Sequence, residues 1–184
     1  PSQPEALAGR GRARFEKGDP EGAIDDLSRA LNANPEEPDL FVLRALASEK
    51  LGDDEHALAD ASKAVALGSE DPQVLLLIAR AGEKQAAWDT VLSQCERILK
   101  QNPNYTEALR LKGRALLSRN DTAAGLEAYS LAIASKPDDW RLLVERASIL
   151  HQQKRFDEAL SDCDKAIAQN PQAMYAYSLR GYCH

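Results

Sequence analysis

The sequence has few aromatic residues and no long apolar run. Phenylalanine, tryptophan and tyrosine together make up 5% of its 184 residues. The densest apolar stretch, Val74 to Ala79, is far shorter than the roughly 18 residues that a membrane-spanning helix needs, so we expect no such helix. The content of 43% hydrophobic and 28% charged residues is typical of a globular chain.

Cysteine is also scarce. The three cysteines are an odd number, and their spacing matches neither a disulfide framework nor a zinc site. Cys95 and Cys163 occupy the same place on an apolar stripe, so we interpret them as small core residues in a reducing compartment. A net charge of −6 argues against a nucleic-acid surface, which needs a basic face. Together these features favour a cytoplasmic location.

The sequence lacks the usual signs of catalysis. It has no glycine-rich phosphate loop and no nucleophile beside a base. The histidines are scattered, and Cys183 with His184 is the nearest approach to a metal site. We therefore predict no enzyme activity, no metal and no cofactor. Three acidic pairs are explained by helix capping and solubility at helix starts or outward faces: Asp25-Asp26, Asp53-Asp54 and Asp138-Asp139.

What the sequence does have is a helical pattern from Lys154 to Pro171. Asp157 and Glu158 suit the first turn of a helix, and Pro171 cannot continue one. The apolar residues recur at a spacing that places them on one buried stripe of a helix of about four turns: Phe156, Ala159, Leu160, Cys163, Ala166 and Ile167.

The same pattern returns every 34 residues. Pro35, Pro103, Pro137 and Pro171 lie on this step, with Ser69 where one more proline would fall. Small or medium residues follow it as well, and Pro4, Pro38 and Pro72 mark helix starts, where proline costs nothing. The small or medium residues form two series: Ala23, Ala57, Val91, Gly125 and Ala159, and then Ala30, Ala64, Ile98, Ala132 and Ala166.

Each step contains two helices with a short turn between them, which predicts antiparallel pairs. No alternating β-branched stretch competes with this all-α interpretation. Small residues at one fixed place should keep the paired helices close: Gly11, Ala45, Ala79, Gly113, Ala147 and Gly181. The predicted repeats are 4–37, 38–71, 72–105, 106–139, 140–173 and a partial repeat, 174–184. Because the chain starts at Pro1 and ends within a helical pattern, we expect it to be a piece of a longer protein.

These residues resemble the tetratricopeptide repeat family. The motif pairs a large apolar residue with a small one four residues later, and here it includes Leu109, Gly113, Gly125, Tyr129, Ala132 and Pro137. The place that usually holds leucine carries Arg10, Arg44, Lys112, Arg146 and Arg180, whose stems should pack while the charged ends reach an edge. The resemblance implies a right-handed α-solenoid formed by one domain over residues 4–184.

It also implies a concave groove lined by the first helices. The groove residues that we expect to bind a ligand are Arg12, Val42, Leu46, Leu76, Arg80, Arg110, Arg114 and His151. Arginine can hold a carboxylate with two parallel bonds, so this surface suits a protein segment with an apolar anchor beside an acidic group. The chaperone-binding subfamily uses a fixed set of lysine, asparagine and arginine side chains. The corresponding places here hold Ala8, Arg12, Leu43, Gln73 and Leu77, so that set is absent.

The leading hypothesis is a non-catalytic scaffold or adaptor that binds a protein segment. A second hypothesis is that this is the regulatory or substrate-recruiting region of a larger enzyme or assembly. A third is self-association through the C-terminal partial helix, whose Tyr175, Tyr177, Leu179 and Tyr182 form an apolar face.

Overall fold

A computed structural model describes residues 3–183, which form eleven α-helices and no strand. The helices are α1 (Pro4–Glu16), α2 (Pro20–Ala33), α3 (Pro38–Lys50), α4 (Asp54–Ala66), α5 (Pro72–Lys84), α6 (Trp88–Gln101), α7 (Thr106–Ser118), α8 (Thr122–Ser135), α9 (Trp140–Gln152), α10 (Phe156–Gln169) and α11 (Met174–Cys183). The all-α prediction and the two-helix repeat are therefore confirmed.

The chain divides into two compact units, residues 1–98 and residues 99–184. In unit 1, α1 packs against α2 and α3 against α4, and each second helix also packs on the next first helix. In unit 2, α7 packs against α8 and α9 against α10, and α11 packs on α9 and α10. A single domain over 4–184 stays a prediction.

The turn inside each repeat has the same backbone conformation. The residues at positions 18, 52, 86, 120 and 154 all have a positive φ, and two of them are Gly18 and Gly52, for which this conformation costs little. In three repeats an aspartate then caps the second helix, because Asp19, Asp53 and Asp121 accept a hydrogen bond from a backbone N–H three residues later. The turn sequence therefore determines where each second helix begins.

The paired helices approach each other closely at two of the predicted small residues, Gly11 and Gly113. A Cβ on Gly11 would lie 2.9 Å from Cγ of Leu27, and a Cβ on Gly113 would lie 2.8 Å from Cδ2 of Tyr129. In both pairs the contact joins residues 16 apart. The prediction is wrong at Gly181, where nothing among the described residues lies within 4 Å of such a Cβ.

In three repeats the arginine just before the small residue of the first helix pairs with an aspartate of the second helix, a contact that the sequence analysis did not predict. Arg10 donates two hydrogen bonds to Asp26, at 2.7 and 2.6 Å, and Asp26 is fully buried. The same contact, again between residues 16 apart, joins Arg44 to Asp60 and Arg146 to Asp162. The bond from Arg10 holds the pKa of Asp26 below its usual range. Asp26 is therefore part of the interior, and the interpretation of it as a capping or surface residue was wrong.

Two further expectations have different outcomes. Cys95 and Cys163 are buried, as predicted, and burial raises the pKa of the Cys163 thiol to about 11, so it is protonated at neutral pH.

Phe156, however, is 39% exposed. Its ring lies against His151 of the preceding helix, with 5.5 Å between the ring centroids, and is not part of a buried stripe.

We expect Gly113→Ala to destabilise the protein. Its Cβ would overlap the ring of Tyr129 and lie 3.2 Å from the carbonyl oxygen of Gly125; overpacking of this kind costs about 1–3 kcal/mol, which outweighs a gain in helix propensity of about 1 kcal/mol. Urea denaturation would measure the change. The matched control is Gly9→Ala, also within a helix, where a Cβ meets nothing within 4 Å and stability should rise. An equal rise in both variants would contradict the close approach of α7 and α8.

Breaking the pair between Arg146 and Asp162 should also be costly. We expect Asp162→Ala to reduce the free energy of unfolding by about 3 kcal/mol, because it leaves Arg146 beside the core without its carboxylate. The double variant Arg146→Met, Asp162→Ala should lose clearly less, since no unpaired charge remains. Chemical denaturation of these two variants and of the single variant Arg146→Met completes the cycle. Equal losses in the single and double variants would show that charge plays no part in the effect.

Candidate functional site

The eight predicted groove residues all lie on first helices. Arg12, Val42, Leu46, Leu76 and Arg80 belong to unit 1, and Arg110, Arg114 and His151 belong to unit 2. In unit 1, Val42 and Leu76 are buried and Leu46 packs against the apolar cluster of α2 to α5. These three side chains mainly form the core, and they offer little surface to a ligand.

A cleft of about 500 Å³ opens in unit 1 between α3, α4 and α5. Its apolar side chains are Ala57 and Leu58 of α4 with Leu77 and Ala81 of α5. Of the predicted site residues only Arg80 lines this cleft. The remaining polar residues of its lining are Glu49, Asp54, Glu55, Lys84 and Gln85.

The basic side chains at the cleft are already paired. Arg80 donates to Oε1 of Glu49 at 3.1 Å, and Nζ of Lys84 lies 2.6 Å from Oδ2 of Asp54. Both pairs join α5 to the preceding repeat. The carboxylate of Glu55, in contrast, makes no ion pair or hydrogen bond within residues 3–183. The cleft therefore has an apolar lining and one carboxylate that is available to a ligand.

The turn beside the cleft is acidic, and the pKa of His56 is raised as a result. Nδ1 of His56 lies 2.8 Å from Oδ2 of Asp53, and this hydrogen bond raises the pKa of His56 above its ordinary value. The charge of Glu55 adds a smaller effect in the same direction. The same bond lowers the pKa of Asp53. The negative potential at this end of the cleft thus comes from several carboxylates.

Arg12 is the other predicted arginine of unit 1. It is exposed on α1, and its side chain has no ion pair or hydrogen bond to any residue from 3 to 183. It does not line the cleft. A carboxylate could bind Arg12 without breaking an existing contact.

In unit 2 the predicted arginine Arg110 belongs to a polar network. It donates two hydrogen bonds to Glu107 and lies 3.6 Å from Glu145. The hydroxyl of buried Tyr129 donates to Glu145 at 2.7 Å; burial is the main cause that raises the pKa of Tyr129. Arg114 is exposed and contributes positive potential at Tyr129. The network joins α7, α8 and α9. Arg110 contacts one carboxylate of its own helix and one of α9.

His151 is half-buried at the end of α9, against the ring of Phe156. A second cavity in unit 2, of about 210 Å³, lies between α8, α9 and α10. Its arginines Arg146 and Arg155 are both held by carboxylates, those of Asp162 and Glu158. Neither place resembles the cleft of unit 1, because no apolar surface of comparable size opens there.

The sequence did not single out most of the cleft residues. Glu55 and Leu58 belong to a second helix, and the groove prediction considered only first helices. The one usable signal was that Leu77 and Arg80 lie one helical turn apart on α5.

The described residues offer neither a metal-binding cluster nor a membrane-spanning helix. Among residues 3–183 no group of three or more His, Cys, Asp or Glu side chains could hold a metal ion. Cys183 and His184 are the nearest approach to a metal site in the sequence, and His184 lies outside the described residues. Within the same range no helix is both long and apolar enough to span a bilayer.

Comparison with known proteins assigns the family. Two sequence models described as tetratricopeptide repeat match residues 6–72 and 111–181. The chain belongs to the tetratricopeptide repeat family. The stretch between the two tetratricopeptide matches contains most of the third repeat, where Ile78 and Gln94 replace the arginine and aspartate of other repeats. Proteins of this family are generally scaffolds for protein interactions.

Solved tetratricopeptide proteins share the fold. YrrB, a protein with an unusual peptide-binding site, is 17% identical; the match covers 98% of this chain and 93% of YrrB with a TM-score of 0.87. MamA of Desulfovibrio magneticus RS-1 is 16% identical over 92% of this chain and 96% of MamA, with a TM-score of 0.79. A thermophilic tetratricopeptide protein of Thermus thermophilus, TTC0263, is 19% identical over 98% of each chain, with a TM-score of 0.62. At these identities the likeness is one of fold.

The potential beside the cleft can be measured through His56. We expect an NMR titration to give His56 a pKa above its ordinary value, Asp53→Asn to remove most of the increase, and Glu55→Gln to remove less of it. Because the folded pKa is raised, the stabilising contribution of this pair is complete below the unfolded pKa of histidine and is lost as pH rises through the folded value. A larger effect from Glu55→Gln than from Asp53→Asn would contradict the described hydrogen bond.

Proposed function

We propose that this chain is a non-catalytic interaction scaffold that binds a segment of a partner protein in the cleft of unit 1. The cleft itself is the observation that carries the proposal. Its volume of about 500 Å³ lies within the usual range for ligand pockets, about 300–1,000 Å³. The fold that this chain shares with YrrB, a protein with a peptide-binding site, supports the same role.

An apolar side chain of the ligand fills the cleft. Leu58, Leu77 and Ala81 line the space, so a leucine-sized group placed there contacts apolar side chains of α4 and α5. Complete burial of such a side chain contributes about 1.5–3 kcal/mol. This anchor accounts for the apolar part of the ligand predicted from the sequence.

A basic group of the ligand lies beside the anchor, at Glu55. A ligand cation there breaks no existing pair, whereas a ligand carboxylate at Arg80 would lie close to the carboxylate of Glu49 and be repelled by it. The net charge of unit 1 also favours a positively charged ligand. Residues 1–98 contain 11 Lys and Arg against 19 Asp and Glu, a net charge of −8, which attracts cationic segments within a Debye length of about 8 Å.

The acidic ligand predicted from the arginines is the competing proposal. It rests on Arg12, which is exposed and has no pair within residues 3–183, and on Arg114 of unit 2, and it places the ligand outside the cleft. A regulatory or substrate-recruiting region of a larger enzyme would use either surface in the same way. The ligand's charge is therefore the property to test first.

The test uses three synthetic peptides with one leucine anchor that differ only in the next residue, which is Lys, Gln or Glu. We expect the Lys peptide to bind the intact chain most tightly in fluorescence anisotropy. Glu55→Gln should weaken it about two- to fivefold, the range for an exposed charge pair, and Ala81→Phe should abolish binding of all three by filling the cleft.

The matched control is Glu21→Gln, because Glu21 occupies the position of Glu55 in the preceding repeat and is exposed at the start of α2. It should leave binding of the Lys peptide unchanged. Tightest binding of the Glu peptide, lost on Arg12→Gln but kept in Ala81→Phe, would replace this proposal by the acidic one. No saturable binding of any peptide would reject the cleft as a site.

A further inference from the structure

The cavity of about 210 Å³ in unit 2 has more basic than acidic side chains in its wall. Arg146, Arg155 and Lys165 line it together with Glu158 and Asp162, so one positive charge is in excess. Arg146 donates to Asp162 at 2.7 and 2.8 Å, and Arg155 donates to Glu158 at 2.6 and 2.7 Å. Because both arginines already hold a carboxylate, the excess charge belongs to Lys165.

The ammonium group of Lys165 is available to a ligand. It makes no ion pair or hydrogen bond to any residue from 3 to 183. Arg29 holds the same position in the first repeat, and there the carboxylate of Asp25, four residues earlier on α2, lies 3.9 Å from it. Four residues before Lys165 the chain has Ser161, which also lines the cavity and whose hydroxyl makes no hydrogen bond within the same range. A hydroxyl donor therefore replaces the carboxylate beside this cation.

The positions of Ser161 and Lys165 are open to solvent in inner repeats as well. Ala59 and Lys63 hold them in the second repeat, where further repeats follow, and both residues are exposed. The lining of the cavity comes from α8, the turn after α9, and helices α9 and α10, and it includes no residue of α11. The cavity is thus formed entirely by elements in the interior of the sequence.

The remaining wall of the cavity is partly apolar. Leu126 of α8 and Leu150 of α9 line it, and both are buried. The volume is below the usual range for pockets that take a whole small molecule, about 300–1,000 Å³. A single side chain with a short apolar stem and a charged end suits a space of this size and lining.

We infer that this cavity binds the side chain of a glutamate from a partner protein. The carboxylate pairs with Lys165 and accepts a hydrogen bond from the hydroxyl of Ser161, while the two methylene groups of the stem contact Leu126 and Leu150. A protein is the expected source of the carboxylate because the family generally serves as a scaffold for protein interactions. This inference does not depend on the cleft of unit 1.

The charge of the cavity favours a carboxylate over a phosphate. One carboxylate neutralises the single excess positive charge. A phosphorylated side chain carries about two negative charges, so it would leave one of them unmatched beside the two carboxylates that already line the cavity. A phosphate group should therefore bind more weakly than a carboxylate.

The test uses three short peptides, acetyl-Ala-X-Ala-amide with X as Glu, Gln or phosphoserine. A single side chain binds weakly because association has a large entropic cost, so NMR of the ¹⁵N-labelled intact chain at millimolar peptide is the suitable measurement. We expect the Glu peptide to shift the amide signals of Ser161 and Lys165 saturably, the phosphoserine peptide to bind more weakly, and the Gln peptide to give no saturable shift.

Two variants test the residues of the cavity. Lys165→Gln should weaken binding of the Glu peptide about two- to fivefold, the range for an exposed charge pair. Ser161→Phe should abolish it, because the ring fills the cavity. The matched controls are Lys63→Gln and Ser93→Phe, which change exposed residues at the same two positions of other repeats and should leave binding unchanged. Circular dichroism checks that each variant is folded.

Several results would overturn the inference. Equal shifts from the Glu and Gln peptides would show that the carboxylate is not recognised, and an equal loss in Lys63→Gln and Lys165→Gln would show a general effect of net charge. Binding that survives Ser161→Phe would place the peptide outside the cavity. Tighter binding of the phosphoserine peptide would reject the assignment to glutamate, and absence of shifts at Ser161 and Lys165 would reject the cavity as a site.

Discussion

The separation of the two helices in a pair depends on one contact between residues 16 apart. On the first helix this place is always small, and on the second helix the size of the residue compensates. Glycine faces a large side chain in Gly11 with Leu27 and Gly113 with Tyr129, whereas alanine is matched with a small one, as in Ala45 with Ala61 and Ala147 with Cys163. All of these residues are buried. Because interiors are close-packed, this volume match brings the helices together and allows the rest of the stripe to be buried.

The ion pairs of Arg10, Arg44 and Arg146 add orientation to this packing. Each lies one residue before the small residue and meets an aspartate one residue before its partner, so the charged contact repeats the register of the apolar one. Buried pairs contribute little net stability compared with apolar residues. The fourth repeat has Lys112 and Ala128 at these positions and still forms its two helices. The effect of the ion pairs is selective: a helix that slips by one residue would leave a buried aspartate without its arginine.

The helices could be predicted from sequence because their signals are local. Period and proline predict the helix between residues 154 and 171, which the structure places at Phe156–Gln169, and the prolines at 4, 38 and 72 mark the observed starts of α1, α3 and α5. The buried aspartates could not be predicted in the same way, because a charged residue between apolar ones looks like a surface residue. The signal that would have found Asp26, Asp60 and Asp162 is their constant distance of 16 from an arginine. The cleft had no signal of this kind, since side chains of three helices form it and none of them is unusual alone.

The residues that form the fold and those that would choose a ligand are separate sets. Ala23, Ala57 and Ala159 are interchangeable by position and fully or almost fully buried, so they say nothing about a partner. Residues at the cleft vary from repeat to repeat: the position of Lys84 holds Glu16, Lys50, Ser118 and Gln152 elsewhere. Net charge varies as well, since residues 99–184 contain 12 basic against 10 acidic residues, +2, where residues 1–98 have −8. Two units with the same helix pairs therefore carry net charges of opposite sign, so the repeat that fixes the fold leaves the charge of each unit free to differ.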